Sequence, residues 1–181
     1  EVALQGAFAT KYVLFDANTA LLHIDTMRTL LASTNADACN VGGGNPDVVR
    51  QKTKEAAEFK VLKIKLGRDT DKLMVEAIRS VTDVPMSGDA NQGWTDRQQA
   101  LDMIGWLKER GFLYVEQPLA WEDLRRHAEL QRRLKTPLCL DESITSLERA
   151  EDMVALEAGR IVNIKPGRVG GFSASLAIHD F

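Results

Sequence analysis

Val61-Leu62-Lys63-Ile64-Lys65-Leu66-Gly67 is a short apolar run that carries two lysines and stops at a glycine. It reads as one β-strand closed by a turn, and the residues after it carry a helical stripe. The same pattern returns along the chain. Asp89, Glu116, Asp141 and Lys165 each end a short apolar run, and each is followed by a turn and an amphipathic stretch. From Lys65 onward these five positions are separated by 24, 27, 25 and 24 residues. One strand, one helix and two loops make a repeat of that size, the unit of a (β/α) barrel. The expected fold class is therefore α/β, a TIM-type (β/α) barrel. Its five recurring polar residues lie at the C-terminal ends of successive strands, around one mouth.

Outward from this stretch the ladder is regular. A weak first strand, Ala38 to Val41, leads through Gly42-Gly43-Gly44 to Asn45-Pro46, an N-cap followed by proline at the first helical position. After Lys65 the helical stripe is Leu73, Met74, Ala77, Ile78 and Val81. A short strand from Val84 to Asp89 precedes a helix that opens on a capping box, Thr95 with Gln98, and stops at Gly111. Phe112 to Glu116 is the next strand, and its helix carries Leu124, Ala128 and Leu134. Pro137 to Asp141 is followed by a second capping box, Thr145 with Glu148, and a helix ending at Gly159. Arg160 to Lys165 is the sixth strand, and Gly170-Gly171 leads into a last helix. Ser87-Gly88 is out of keeping, because glycine weakens a strand.

Residues 1–36 keep no period. Val13-Leu14-Phe15 and Ala20-Leu21-Leu22 are apolar, and Thr26 to Ala32 suits a helix. These residues are expected to belong to a neighbouring domain or to a helix preceding the barrel, with 37–181 forming a partial barrel. Six strand-like runs stand against the roughly eight that a closed barrel needs. The expectation is that the 181 residues are not the whole functional polypeptide. Missing segments or another chain, as in a homo-oligomer, would complete the barrel.

Composition narrows the function. A net charge of −3 gives no electrostatic case for nucleic acid, and no apolar run approaches membrane length. The basic stretches Arg125-Arg126 and Arg132-Arg133 with Lys135 read as a solvated helix face. Glu1 opens no signal-peptide pattern, and Cys39 and Cys139 have no second pair, so both are expected to be reduced and structural and the compartment cytoplasmic. Neither Gly42-Gly43-Gly44 nor the loop from Gly167 to Gly171 carries the Gly-Lys-Ser/Thr signature of a phosphate cradle.

The chemistry lies in the recurring polar residues. Asp89, Glu116 and Asp141 offer anionic oxygens from three adjacent strands, a donor set suited to Mg²⁺, with Mn²⁺ as an alternative, and with room for a substrate carboxylate. No histidine lies near them in sequence; His23, His127 and His179 stand elsewhere. Lys63 and Lys65 share a strand face. If that face is the barrel interior, desolvation and like charge would favour a neutral amine and make Lys65 a base. Asn163 shares the inward phase of Lys165. Lys165 could form a Schiff base, but the carboxylates argue against imine chemistry, which needs no metal. Two lysines flanking one metal-bound substrate suit removal of a proton α to a carboxylate. Glu142 alternates to the face opposite Asp141 and is left outside the site.

These residues resemble the enolase superfamily, in its muconate-lactonising-enzyme subgroup, which the mandelate racemase enzymes share. The resemblance rests on Lys63-Ile64-Lys65, Asp89-Ala90-Asn91, Glu116-Gln117-Pro118, Asp141-Glu142-Ser143 and the run from Asn163 to Gly171, in order and at barrel spacing. It implies Asp89, Glu116 and Asp141 as metal ligands, Lys65 and Lys165 as opposed acid/base residues, and Lys63 as the group that tunes Lys65. It further implies a small carboxylate substrate contacted by Asn91, Asn163 and Arg168, and an enediolate intermediate. Lys165-Pro166-Gly167-Arg168-Val169-Gly170-Gly171 resembles o-succinylbenzoate synthases and N-acylamino-acid racemases. Asp89-Ala90-Asn91-Gln92-Gly93-Trp94 resembles dipeptide epimerases. On the resemblance, the family's N-terminal capping domain is expected to be absent or reduced to a remnant in residues 1–36. A barrel fragment without turnover, serving as a scaffold, is the alternative from another class.

Overall fold

Leu62 and Ile64 are buried and Lys63 reaches Glu116 across the sheet, so the strand Val61–Lys65 turns one face to the helices and the other to the strand ends that carry charge. The computed structural model describes residues 45–181 and the backbone of strands at 2–5, 12–15 and 38–41. In chain order the elements are β1 (Val2–Gln5), β2 (Tyr12–Phe15), β3 (Ala38–Val41), α1 (Pro46–Glu55), β4 (Val61–Lys65), α2 (Asp71–Arg79), β5 (Met86–Asp89), α3 (Arg97–Lys108), β6 (Phe112–Glu116), α4 (Leu124–Arg133), β7 (Leu138–Leu140), α5 (Leu147–Leu156), β8 (Ile161–Ile164), α6 (Pro166–Val169) and α7 (Phe172–Asp180). The strands form one sheet in the order β1-β2-β8-β7-β6-β5-β4-β3. Every pairing from β2 to β3 is parallel, and β1 joins β2 antiparallel. This is a (β/α) barrel sheet with its edges, β1 and β3, open among the described residues.

The six strands read from the repeat are β3 to β8. The apolar run Val13-Leu14-Phe15 is part of β2, paired in parallel with β8. The readings of Ala20-Leu21-Leu22, Thr26 to Ala32, Gly42-Gly43-Gly44 and the Cys39 side chain lie outside the described residues. Among the described residues no helix is long and apolar enough to cross a membrane.

Side-chain caps start α1, α3, α4 and α5. Asn45 accepts from the Asp47 N–H at 2.8 Å with Pro46 next, as expected. Two of these starts fall one residue later than the capping boxes predict. Asp96, not Thr95, caps α3 by accepting from the Gln99 N–H, and Ser146, not Thr145, caps α5 by accepting from the Arg149 N–H. Both true caps have the extended backbone that an N-cap requires. In α2 the buried stripe is Met74, Val75, Ala77 and Ile78, while Leu73 is 55% exposed.

Two apolar layers pack the helices on the sheet. One joins Leu62, Ile64, Met86, Val115 and Leu138 to α2 and α3, and the other joins Leu140, Val162 and Ile164 to α4, α5 and α7. Tyr114, Cys139 and Ile161 form a separate small cluster. Cys139 is a buried free thiol whose pKa burial pushes well up, the Glu116 charge adding to the effect, so it is packing and not a nucleophile. The glycine that looks wrong for a strand is required. A Cβ on Gly88 would lie 2.6 Å from Leu66 Cδ1 and 3.1 Å from the Phe112 ring, where the β5–β6 register shifts.

Candidate active site

Lys65, Asp89, Glu116, Asp141 and Lys165 come from the ends of β4, β5, β6, β7 and β8, which are neighbours in that order. Their side chains meet. Lys65 Nζ donates to Asp89 Oδ2 at 2.6 Å, and Lys63 Nζ to Glu116 Oε2 at 2.7 Å with Asp89 Oδ2 3.4 Å away. Lys165 Nζ donates to Asp141 Oδ2 at 2.7 Å, and the Arg168 guanidinium binds the Asp141 carboxylate and, at 2.7 Å, its carbonyl. Asn163 Nδ2 donates to Glu116 Oε1 at 3.0 Å. Four cationic groups thus neutralise three fully buried carboxylates, and every carboxylate oxygen of the three has a partner.

The expectation that both lysines of β4 are desolvated holds for one of them. The Lys63 side chain is 11% exposed, but that of Lys65 is 50% exposed. Lys65 is the last residue of its strand and extends past the packed layer, so the desolvation argument does not apply to it. Lys165 is held as an ammonium. Burial lowers its pKa, but the hydrogen bond and charge of Asp141, with the Glu116 charge, outweigh burial and raise it. Glu116 moves the other way from an ordinary carboxyl, up to about 7. Burial is the largest cause, and the Asp89 and Asp141 charges assist against Lys63.

Asn91 ties the first lysine to a residue that sequence reasoning excluded. Its Oδ1 accepts from Lys65 Nζ at 2.8 Å, and its Nδ2 donates to Glu142 Oε1 at 3.1 Å. Strand alternation placed Glu142 on the wrong face because β7 ends at Leu140, and past that point the period of two no longer governs. Gln117 is also missed, although it is fully buried and bonded to the Asp141 backbone. It stands in the Glu116-Gln117-Pro118 motif, but sequence reading gives it no role there. Asn163 and Arg168, expected to contact a substrate, are here turned onto the Glu116 and Asp141 carboxylates.

Among the described residues no three carboxylate, imidazole or thiol groups are gathered into a ready-made cation cage. The donor chemistry nevertheless fits a hard cation. Three buried carboxylates stand on neighbouring strands, and Asn163 Oδ1, whose amide also bonds Glu116, is a buried oxygen without a hydrogen-bond partner. A cation there would take the oxygens that the lysines and Arg168 now hold.

Comparison with known proteins shows which family the chain resembles. An L-Ala-D/L-Glu epimerase of Bacteroides thetaiotaomicron is 51% identical over 134 residues, 73% of this chain and 34% of that protein. An N-succinylamino acid racemase of Thermus thermophilus is 41% identical over 133 residues, 73% of this chain and 35% of the relative. An o-succinylbenzoate synthase of Geobacillus stearothermophilus is 44% identical over 130 residues, 69% of this chain and 33% of the relative. The chain therefore spans about a third of the length of the curated relatives it matches. Among solved structures, a dipeptide epimerase from Enterococcus faecalis complexed with Mg and the dipeptide L-Leu-L-Tyr superposes with a TM-score of 0.72 at 31% identity, covering 77% of this chain and 41% of that one. The family model described as enolase C-terminal domain-like matches residues 47–181, which contain every residue of the charged row. With strand order, charged row and family model in agreement, the chain belongs to the enolase C-terminal domain-like family.

Proposed function

We propose that this protein removes and returns a proton α to a carboxylate, through an enediolate, on an N-acylated amino acid. One observation carries the reading: Lys65 and Lys165 stand at the two ends of a strand row whose middle is three carboxylates. A small carboxylate substrate lying over Asp89, Glu116 and Asp141 has an amine on either side of its α-carbon. Lys165, held as an ammonium by Asp141, is ready to donate a proton, and Lys65 on the other side is placed to remove one. Lys63 stays buried beneath them and holds Glu116 and Asp89 in place. Asn91 fixes the approach of Lys65, while Asn163 and Arg168 orient Glu116 and Asp141 and face the substrate.

Asp89, Glu116 and Asp141 would hold Mg²⁺, or Mn²⁺, which when bound supplies positive charge to the substrate carboxylate and acidifies the neighbouring C–H. N-Succinylamino acids and dipeptides share the N-acyl amino acid unit, and two bases suit racemisation or epimerisation of it. The 51% identity to an epimerase and the Asp89 to Trp94 stretch support a dipeptide. A second reading, water elimination by an o-succinylbenzoate synthase, is supported by the run from Lys165 to Gly171 and the 44% identity to such an enzyme. We place the protein in the cytoplasm, which its reduced Cys139 favours.

The test is Cα proton–deuterium exchange over a panel of N-succinyl amino acids, dipeptides and the synthase substrate, with Mg²⁺ and with EDTA. Exchange is expected only with the cation. Full activity in EDTA, or borohydride trapping of substrate on Lys165, would replace this reading with imine chemistry.

A further inference from the structure

Asp141 stands where the sheet no longer holds it. β7 is three residues long, and its last ladder pair is Leu140 with Val162. The Asp141 N–H finds its acceptor in the neighbouring loop instead, at Gln117 Oε1, 3.0 Å away. The same oxygen accepts from the Ser143 N–H at 3.2 Å. Gln117 Nε2 donates to the Ser143 hydroxyl at 2.8 Å and to the Leu119 carbonyl at 3.1 Å. A carboxamide has two donors and two acceptor lone pairs, and here all four are used. The Gln117 N–H donates to the Cys139 carbonyl at 2.8 Å, so main chain and side chain together join the two loops. Gln117 is fully buried and its φ is 37°, in the left-handed region that residues with a side chain rarely occupy. A strained, fully satisfied buried amide directly after Glu116 is more than filling.

We infer that Gln117 is a positioning residue that replaces the strand partner missing beyond Leu140 and thereby sets where the Asp141 carboxylate stands against Lys165 and Arg168. The inference deepens the proposed function and rests on its assignment of Asp141 to the site. Two isosteric substitutions separate its parts. Gln117→Glu keeps the acceptor oxygens for both N–H groups, whereas Gln117→Met removes every side-chain bond and leaves the main-chain bond to Cys139. Gln117→Asn, one methylene shorter, is the milder version of the same loss.

Amide hydrogen exchange followed by NMR reads the clamp with neither cation nor turnover. The Asp141 and Ser143 amides should be protected in the wild type and in Gln117→Glu. They should exchange roughly tenfold or more faster in Gln117→Met and Gln117→Asn, while Leu62 and Ile64 in β4 are unchanged. In parallel, Mn²⁺ titration should show affinity falling roughly tenfold to a hundredfold in Gln117→Met and Gln117→Asn, the usual cost of losing a group that orients a ligand. Wild-type protection of Asp141 in Gln117→Asn, which decides the matter if Gln117→Met does not fold, would overturn the inference. If the exchange pattern holds but the wild type binds no Mn²⁺, the clamp stands and the metal reading falls.

Discussion

His127 shows how one buried side chain supports the loop after Glu116 from a distance. It is fully buried in α4, its Nδ1 donates to the Asp123 carbonyl at 2.8 Å, and its Nε2 accepts from the Leu119 N–H at 3.3 Å. That pair of bonds requires the neutral ring with its proton on Nδ1. Burial lowers its pKa, against the opposing bond and charge of Asp123. In the window between the folded and unfolded values the unfolded chain binds the extra proton. Stability from this group is therefore complete above about pH 6.5 and is lost as pH falls through the lowered value. Unfolding measured at a series of pH values should lose up to about 1.4 kcal/mol per pH unit there from this group. His127→Gln, which keeps a donor and an acceptor, should flatten that slope; an unchanged slope would mean that other groups carry it. Because Leu119 lies three residues past Glu116, acid should loosen this loop before the helices melt.

At the scale of elements, β5 is the informative one. Gly88 lets Leu66 and the Phe112 ring close over the strand one residue before Asp89. Gly88→Ala should therefore cost roughly 1–3 kcal/mol of unfolding free energy, because the Leu66 tip can yield but the ring and strand beside it yield less. It should also depress α-proton exchange by displacing Asp89, and a variant with wild-type melting and turnover would show the site to be looser than described. The order of the strands was legible because each repeat returns a charged residue, lysine or carboxylate, at the same phase. Element edges were less so. Thr95 and Asp96 are both good caps, as are Thr145 and Ser146, and composition does not choose between adjacent cap formers. The dihedral angles of Asp96 and Ser146 do. Leu73 and Met74 head two equally good stripes, and only packing shows which is buried. Glu142 and Gln117 were illegible for a deeper reason. Both lie just past the end of a strand, where alternation stops and loop geometry decides what touches what.

For the whole molecule, one parallel sheet does the positioning. Five adjacent strands deliver lysine, three carboxylates and lysine in spatial order, and the helices bury the opposite face. The sheet also has edges at β1 and β3 among the described residues, and exposed strand edges invite pairing. Sedimentation of the 181-residue chain, of mass 20.1 kDa, should accordingly show association and not a monomer. A sharp monomer boundary with cooperative unfolding would contradict that expectation. The central claim, that Lys65 and Lys165 serve opposite faces of one α-carbon, has a direct test. In deuterated buffer with Mg²⁺, Cα exchange is followed separately for the two epimers of the best N-acyl amino acid or dipeptide substrate. The account predicts that Lys65→Ala abolishes exchange from one epimer and Lys165→Ala from the other, each by at least about 10² to 10⁴-fold. Undiminished exchange from both epimers in either variant would contradict it.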